Sequence, residues 1–364
     1  MTDEQIKQLC SIQRDAAIGV RGDTVAFFNA AAQTRFPDLT VGEIAAIRFP
    51  SAVLEAEETT FSASALVDGN PYTVLGTQIA DLRVYTLIPQ EEELDGADGQ
   101  LLERVCGTMR RTLTVLNMAT EFLAPAFDQM EEPKQKANLT IISKTNYQLQ
   151  RLCDNLDSFF HLSAGQARLF LDRVDLVVFC RDLAQSVDHF AKRLLCRVRF
   201  QTDCDQLMAS VDRQKMTKLL LNLLSNSLKH LNEGGSVSLD LGRQGEDAVF
   251  TIRDTGLGIA PGDMGQVFTR YQSSCSDTDT KMGVGLGLNI AQEIARLHGG
   301  TLFVTSQEGR GTAVCLRLPI RQDADTGLLQ ETSLPYGEGD GGMHPILTEL
   351  SDVLDDGVFL GRYY

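Results

Sequence analysis

No two of the eight cysteines in this 364-residue chain (10, 106, 153, 180, 196, 204, 275 and 315) form a CxxC pair. Scattered this way, they predict reduced, mostly buried thiols in a cytoplasmic protein. No run of about 18 apolar residues occurs, so no membrane span is expected. The opening "MTDEQIKQLC" has neither a basic n-region nor an apolar core, which predicts no secretory leader. Positive charge is scarce: 33 Lys+Arg face 49 Asp+Glu, a formal net charge of −16. A surface that acidic repels phosphate backbones and excludes nucleic acid as a natural partner. The common nucleotide motifs are missing as well. GxxxxGK[ST] does not occur, and Leu288 stands where GxGxxG needs its last glycine.

What is present points to a soluble, modular protein. Hydrophobic residues make up 43% and charged residues 23%, and the length allows two or three domains. Residues 1–90 read as a small α/β unit, with strands at "AAIGV", "TVAFF", "YTVLG" and "LRVYTLIP" and turns at Gly19, Gly22, Asp68 and Gly69. The acidic stretch from about 91 to 98 reads as a linker. Over 99–165 apolar residues recur every three or four positions. Leu102, Val105, Met109, Leu113, Leu116, Ala119 and Leu123 form one run, and Ile142, Leu149, Leu152, Leu156 and Phe159 a second, with prolines 125 and 133 between them. That is an antiparallel helical hairpin, whose apolar stripe calls for a second copy and a homodimeric four-helix bundle.

Residues 169–320 mix helices and mostly antiparallel strands. "VDLVVFCRDLAQSVDHFAKRLL" reads as a helix and "VRFQTD" as a strand. A very apolar helix starts near Asp212 as N-cap. "SVSLDL" pairs with "AVFTIRD". The helix "LGLNIAQEIARLH" stops at Gly299-Gly300, and "TLFVTS" and "TAVCLRLP" form a hairpin turning at "QEGRG". The arrangement is an α/β sandwich and not a βαβ repeat. Residues 321–364 read as an acidic, flexible tail with one short docking helix near "HPILTELSDVLDDGVF".

Four features in this last part carry chemistry. "NLLSN" sets Asn222 and Asn226 on one helical face, with Lys229 and His230 just beyond. Neutral amide oxygens suit Mg²⁺, which shares its shell with substrate phosphates. Asp254 ends a strand ahead of Gly256 and Gly258; an ionised carboxylate accepts only, so it can accept a hydrogen bond from an exocyclic amine, while glycines let a base lie against the main chain. Phe268 and Arg270 follow in "VFTRY". Gly283, Gly285 and Gly287 then open a helix whose free N–H groups suit phosphates, with Leu288 next.

In order and spacing these features resemble the N, G1, F and G2 boxes of the GHKL ATPase superfamily, and most closely its bacterial sensor histidine kinases. The resemblance covers about 98–320. It implies an α+β multidomain chain: a PAS-like sensor unit, a dimerising hairpin and a Bergerat-type sandwich that holds ATP and Mg²⁺ under the lid "QSSCSDTDTKM". By the same resemblance Asn226 would ligate Mg²⁺ with Asn222 in support, and Lys229 would contact phosphate. Asp254 would receive the adenine amine, and Gly283, Gly285 and Gly287 would hold the phosphates. The implied partners are a response regulator or another kinase in two-component signal transduction.

The chain departs from that pattern at the phosphoacceptor. "CGTMRRTL" (106–113) aligns with the family's His-bearing segment, but Gly107 takes the histidine position, Thr108 the acid and Thr112 the proline. Nucleophile and proton acceptor are both absent there. Asn222 also replaces the glutamate base of the water-hydrolysing members, since an amide takes no proton near neutral pH. Ser273 stands where kinases often carry a phosphate-facing arginine. Two further readings therefore stand beside an active histidine kinase: a non-catalytic, ATP-dependent regulatory pseudokinase, and a protein-serine kinase of the anti-sigma type.

Overall fold

The computed structural model describes residues 6–7, 10, 15–56, 59–79, 81–89, 105–116, 119–120, 133–163, 167–260, 263–264, 285–321 and 344–359. Alternating apolar residues produce β1 (Ala16–Arg21), β2 (Thr24–Phe28), β4 (Asn70–Ile79) and β5 (Leu82–Pro89). β3 (Thr60–Val67) has no such alternation, because Phe61, Ser62 and Ala63 are all buried, as in a strand covered on both faces. Two short helices, α1 (Ala30–Arg35) and α2 (Ser51–Leu54), lie between β2 and β3.

The C-terminal half supplies β6 (Asp172–Asp175), β7 (Arg197–Thr202), β8 (Met208–Val211), β9 (Ser236–Gln244), β10 (Asp247–Asp254), β11 (Thr301–Gln307) and β12 (Gly311–Pro319). One ten-stranded sheet runs in the order β2-β1-β5-β4-β3-β11-β12-β10-β9-β7, and β6 pairs with β8 separately. Only β7 and β9 run parallel among these described pairs. The fold is therefore a mixed α/β one, with no βαβ repeat.

The junction at β3 and β11 goes beyond anything the strand patterns announce. Ser64, Ala63 and Ser62 pair with Leu302, Phe303 and Val304, so the N-terminal strands continue the C-terminal sheet. Each strand would otherwise end its sheet with unpaired backbone groups. Phe303 reaches into the N-terminal core, with its ring 5.8 Å from that of Phe61.

A helix over 105–116, α3, and α4 (Pro133–Ser163) make the expected hairpin. Pro133 begins α4, where its missing N–H costs nothing. Arg110 bonds Asp154 and Asp157 at 3.1 and 3.2 Å, while Asn146 reaches Leu113 O, so the two helices run antiparallel. Val105, Met109, Val115, Leu116, Ile141, Ile142 and Leu149 remain exposed on them. The helix expected from residue 174 starts later. Val174 joins β6, and Asp175 caps α5 (Leu176–Ala191) by accepting from Val177 N.

Three more helices follow: α6 (Arg213–Lys229), α7 (Gly287–Leu297) and α8 (Pro345–Leu350). Gly299 ends α7 region with φ +77°. Cys10, Cys106, Cys153, Cys180 and Cys196 are buried free thiols. No helix among the described residues is long and apolar enough to cross a membrane.

Candidate functional site

The site is built on α6. Asp212 caps this helix, its Oδ1 accepting from Lys215 N at 3.0 Å. The cap is fixed in turn by His298, whose Nε2 accepts from Asp212 N at 3.0 Å and whose Nδ1 lies 2.8 Å from Ile294 O. A backbone donor on one side and a carbonyl on the other require neutral imidazole with its proton on Nδ1. Burial holds the His298 pKa below its usual value.

Leu219, Leu220, Leu223, Leu224 and Leu228 anchor α6 in the core. Asn222 lies among them with none of its surface exposed, and neither Oδ1 nor Nδ2 has a hydrogen-bond partner among the described residues. A buried, unpaired amide costs about 1–3 kcal/mol. A leucine-lined helix retains such a group only where something else bonds it. Beside it stands Gly287, the first residue of α7, where a Cβ would come within 2.9 Å of Asn222 Oδ1. One turn along α6, Asn226 and Lys229 are half-buried, and His230 is exposed at the helix end. The structure thus brings Asn222 to the start of α7, with Gly285 just before it at φ +70° and Leu288 half-buried just after, while Asn226 lies one turn further along α6.

Asp254 marks the other end. Its Oδ1 accepts from Gly256 N and from Thr312 N, each at 3.0 Å, which leaves Oδ2 as a further acceptor. The following loop is clamped on two sides. Leu257 N donates to His230 O at the end of α6, and Gly309 N donates to Leu257 O in the β11–β12 turn. Ile259 N reaches Ser306 Oγ at 2.8 Å, and that hydroxyl also pairs with Thr312 Oγ1.

This geometry changes the role expected of the glycines. At Gly258, with φ +69°, a Cβ would lie 2.1 Å from Gln307 O. The bare face is occupied by the protein's own turn and not reserved for a base. Gly256 likewise abuts His230 O.

Thr312 and Gly311 escaped the sequence reading. "QEGRG" reads as a hairpin turn, although a third GxG followed by Thr312 after a strand is a usable signal. Gly311 permits the close approach of β12 to Asp254 O. Phe268, Arg270, Gly283 and the lid 272–282 lie outside the described residues.

At the phosphoacceptor position Gly107 is half-buried in α3, and a Cβ there would meet nothing within 4 Å. The glycine is therefore not enforced by packing among the described residues. His161 sits on α4 with Nε2 3.6 Å from Asp157 Oδ1, and Asp157 also bonds Arg110 one turn from Gly107, so this histidine lies at the Gly107 end of the hairpin.

Residues 211–322 match the HATPase_c family model, described as histidine kinase-, DNA gyrase B-, and HSP90-like ATPase. Sensor histidine kinase MtrB of Mycobacterium leprae (strain TN) is 28% identical over 234 residues, 64% of this chain and 41% of that protein. WalK of Bacillus subtilis (strain 168), also a sensor histidine kinase, is 26% identical over 243 residues, 65% of this chain and 39% of that protein. The chain thus matches about two fifths of the length of these curated relatives. A crystal structure of full-length ShkA in complex with AMPPNP shares the fold with a TM-score of 0.51 and 23% identity, over 61% of this chain and 46% of that one.

Proposed function

The chain belongs to the sensor histidine kinases of the GHKL superfamily, and from that premise we infer that it binds ATP with Mg²⁺ and acts as a two-component regulator that does not phosphorylate itself. The observation that carries the nucleotide half is Asn222: a fully buried amide, unpartnered on both atoms, facing the first residue of α7. Neutral amides beside a helix N-terminus fit a magnesium triphosphate, because the amide oxygens suit the hard cation and the free N–H groups suit the anion. Asn226 would ligate Mg²⁺ with Asn222 in support, and Lys229 would contact phosphate. Oδ2 of Asp254 would take the adenine amine while Oδ1 stays with Gly256 and Thr312. Gly283, Gly285 and Gly287 would line the phosphates.

Bound ATP would supply a transferable γ-phosphoryl group. Gly107 and Thr108 give α3 neither the histidine nor the carboxylate that the family's acceptor segment uses, which favours the pseudokinase reading over autophosphorylation. Occupancy then acts by favouring one arrangement of the chain.

The remaining assignments support a modular regulator: a PAS-like unit over 1–90, a linker over 91–98, a hairpin over 99–165 and a Bergerat-type module over 169–320. The exposed stripe from Val105 to Leu149 on α3 and α4 supports dimerisation through the hairpin, and a response regulator or a second kinase is the natural downstream partner. The free buried thiols suit a reducing, cytoplasmic setting.

Incubation of the purified chain with γ-labelled ATP and Mg²⁺ tests this reading. Binding without label transfer is the expected result. An acid-labile, base-stable label on the chain would restore the histidine kinase, and an acid-stable label on an added partner would favour the serine kinase.

A further inference from the structure

Residues 344–359 are held by two parts of the molecule at once. Ile346, Leu347, Leu350, Leu354, Val358 and Phe359 are buried, and the Phe359 ring lies 5.2 Å from that of Tyr147 on α4. From α4, Ser143 Oγ donates to Phe359 O at 2.7 Å, and Lys144 pairs with Asp356 at 2.7 Å. Also from α4, Arg151 pairs with Glu349 at 3.2 Å and with Asp352. From α6, Lys218 pairs with the same Glu349, and Ser225 Oγ donates to Glu349 O at 2.9 Å.

Glu349 is the centre of this junction. It is 4% exposed, and one of its oxygens takes a cation from the hairpin while the other takes a cation from the nucleotide module. Burial alone would push its carboxyl pKa up, yet Lys218 and Arg151 hold it below the usual glutamate range. Arg151 additionally donates to Ser225 Oγ at 3.1 Å, one residue before Asn226. When residues 344–359 leave, Glu349 and Asp352 go together, and Arg151 and Lys218 lose the carboxylate that joins them across the two modules.

We propose that residues 344–359 form a removable strap, with Glu349 as its pin, that locks the nucleotide-binding module against the hairpin; when the strap leaves, the ion pairs that bridge Arg151 and Lys218 are lost and the two modules part. Residues 322–343 reach up to about 70 Å when extended, so the strap stays tethered while undocked. The strap goes beyond the nucleotide reading and does not rest on it, because its test needs no nucleotide.

The test is hydrogen exchange on the full chain, read by mass spectrometry, with the radius of gyration from solution scattering. In the unmodified protein, amides of 344–359 and of 143–151 on α4 are protected. In Glu349→Gln both segments exchange at least tenfold faster and the radius of gyration rises, while β9 and β10 keep their protection. Lys144→Glu sets a like charge against Asp356 at the exposed rim. It speeds exchange of 344–359 a few-fold and serves as the readout if Glu349→Gln loses β9–β10 protection. Unprotected amides over 344–359 in the unmodified protein would overturn the proposal. So would release of the strap with α4 exchange and the radius of gyration unchanged.

Discussion

Helices α3 and α6 are the two places where the resemblance puts chemistry, and they are built to opposite rules. On α6 a packed row of leucines surrounds Asn222, whose buried amide goes unsatisfied. That is a costly arrangement, kept against the preference of the core. On α3 the corresponding position is Gly107, with open space around it and no contact that demands a glycine. An amide buried without a partner among the described residues, at an energetic cost, is the stronger pointer to a ligand of the two.

Each half of that contrast is open to direct attack, and the largest effect is expected at the adenine end. Asp254→Ala removes a charge-assisted acceptor worth about 1.5–3 kcal/mol, so calorimetry should find Mg·ATP bound at least tenfold more weakly. Unchanged affinity would remove adenine from this loop. Asn222→Ala tests the cost itself. Leu223→Ala beside it should lose about 2–5 kcal/mol of stability as an ordinary core truncation. Asn222→Ala should lose much less, because the unpaired amide goes with it, yet it should abolish the rise in melting temperature that Mg·ATP produces. A full-sized loss without nucleotide would mean that Asn222 is structural.

The cap beneath α6 predicts a pH dependence. His298 is held neutral with a lowered pKa, so the unfolded chain binds its proton first as pH falls. Its contribution is complete above about 6.5, the ordinary histidine value, and is lost as pH drops through the lower folded value. Thermal melts from pH 7.5 to 5.5 should show a falling midpoint, and His298→Gln should flatten that slope. The smallest effect belongs to α3: Gly107→Ala should stabilise the hairpin by about 1 kcal/mol through helix propensity. A loss of stability there would show that the glycine is needed after all.

Much of this was legible in the chain because it is local chemistry. Asp212 as a cap, the β9–β10 and β11–β12 hairpins and the stop at Gly299 follow from side-chain preferences within a few residues. The asparagine pair, Asp254 and the glycines were found by their order along the chain. What stayed hidden depends on distant partners. β3 has no alternating pattern to read because its successive residues Phe61, Ser62 and Ala63 are all buried in the folded chain. Thr312 had no visible role until its N–H was seen to donate to Asp254. His298 pins a cap 86 positions earlier.

Spacing and residue type alone determined that this chain carries, in order, an asparagine pair, an aspartate ahead of two glycines and a second glycine cluster, with glycine at 107, since those are facts of order. Only the folded chain decided what the residues do to one another. Gly258 makes room for Gln307 and not for a ligand, and Asn222 is stranded without a partner. Glu349 joins two modules across nearly two hundred positions of sequence. Burial, not composition, sets the cost of an unpaired amide or a stranded charge, and burial exists only once the chain has closed around it.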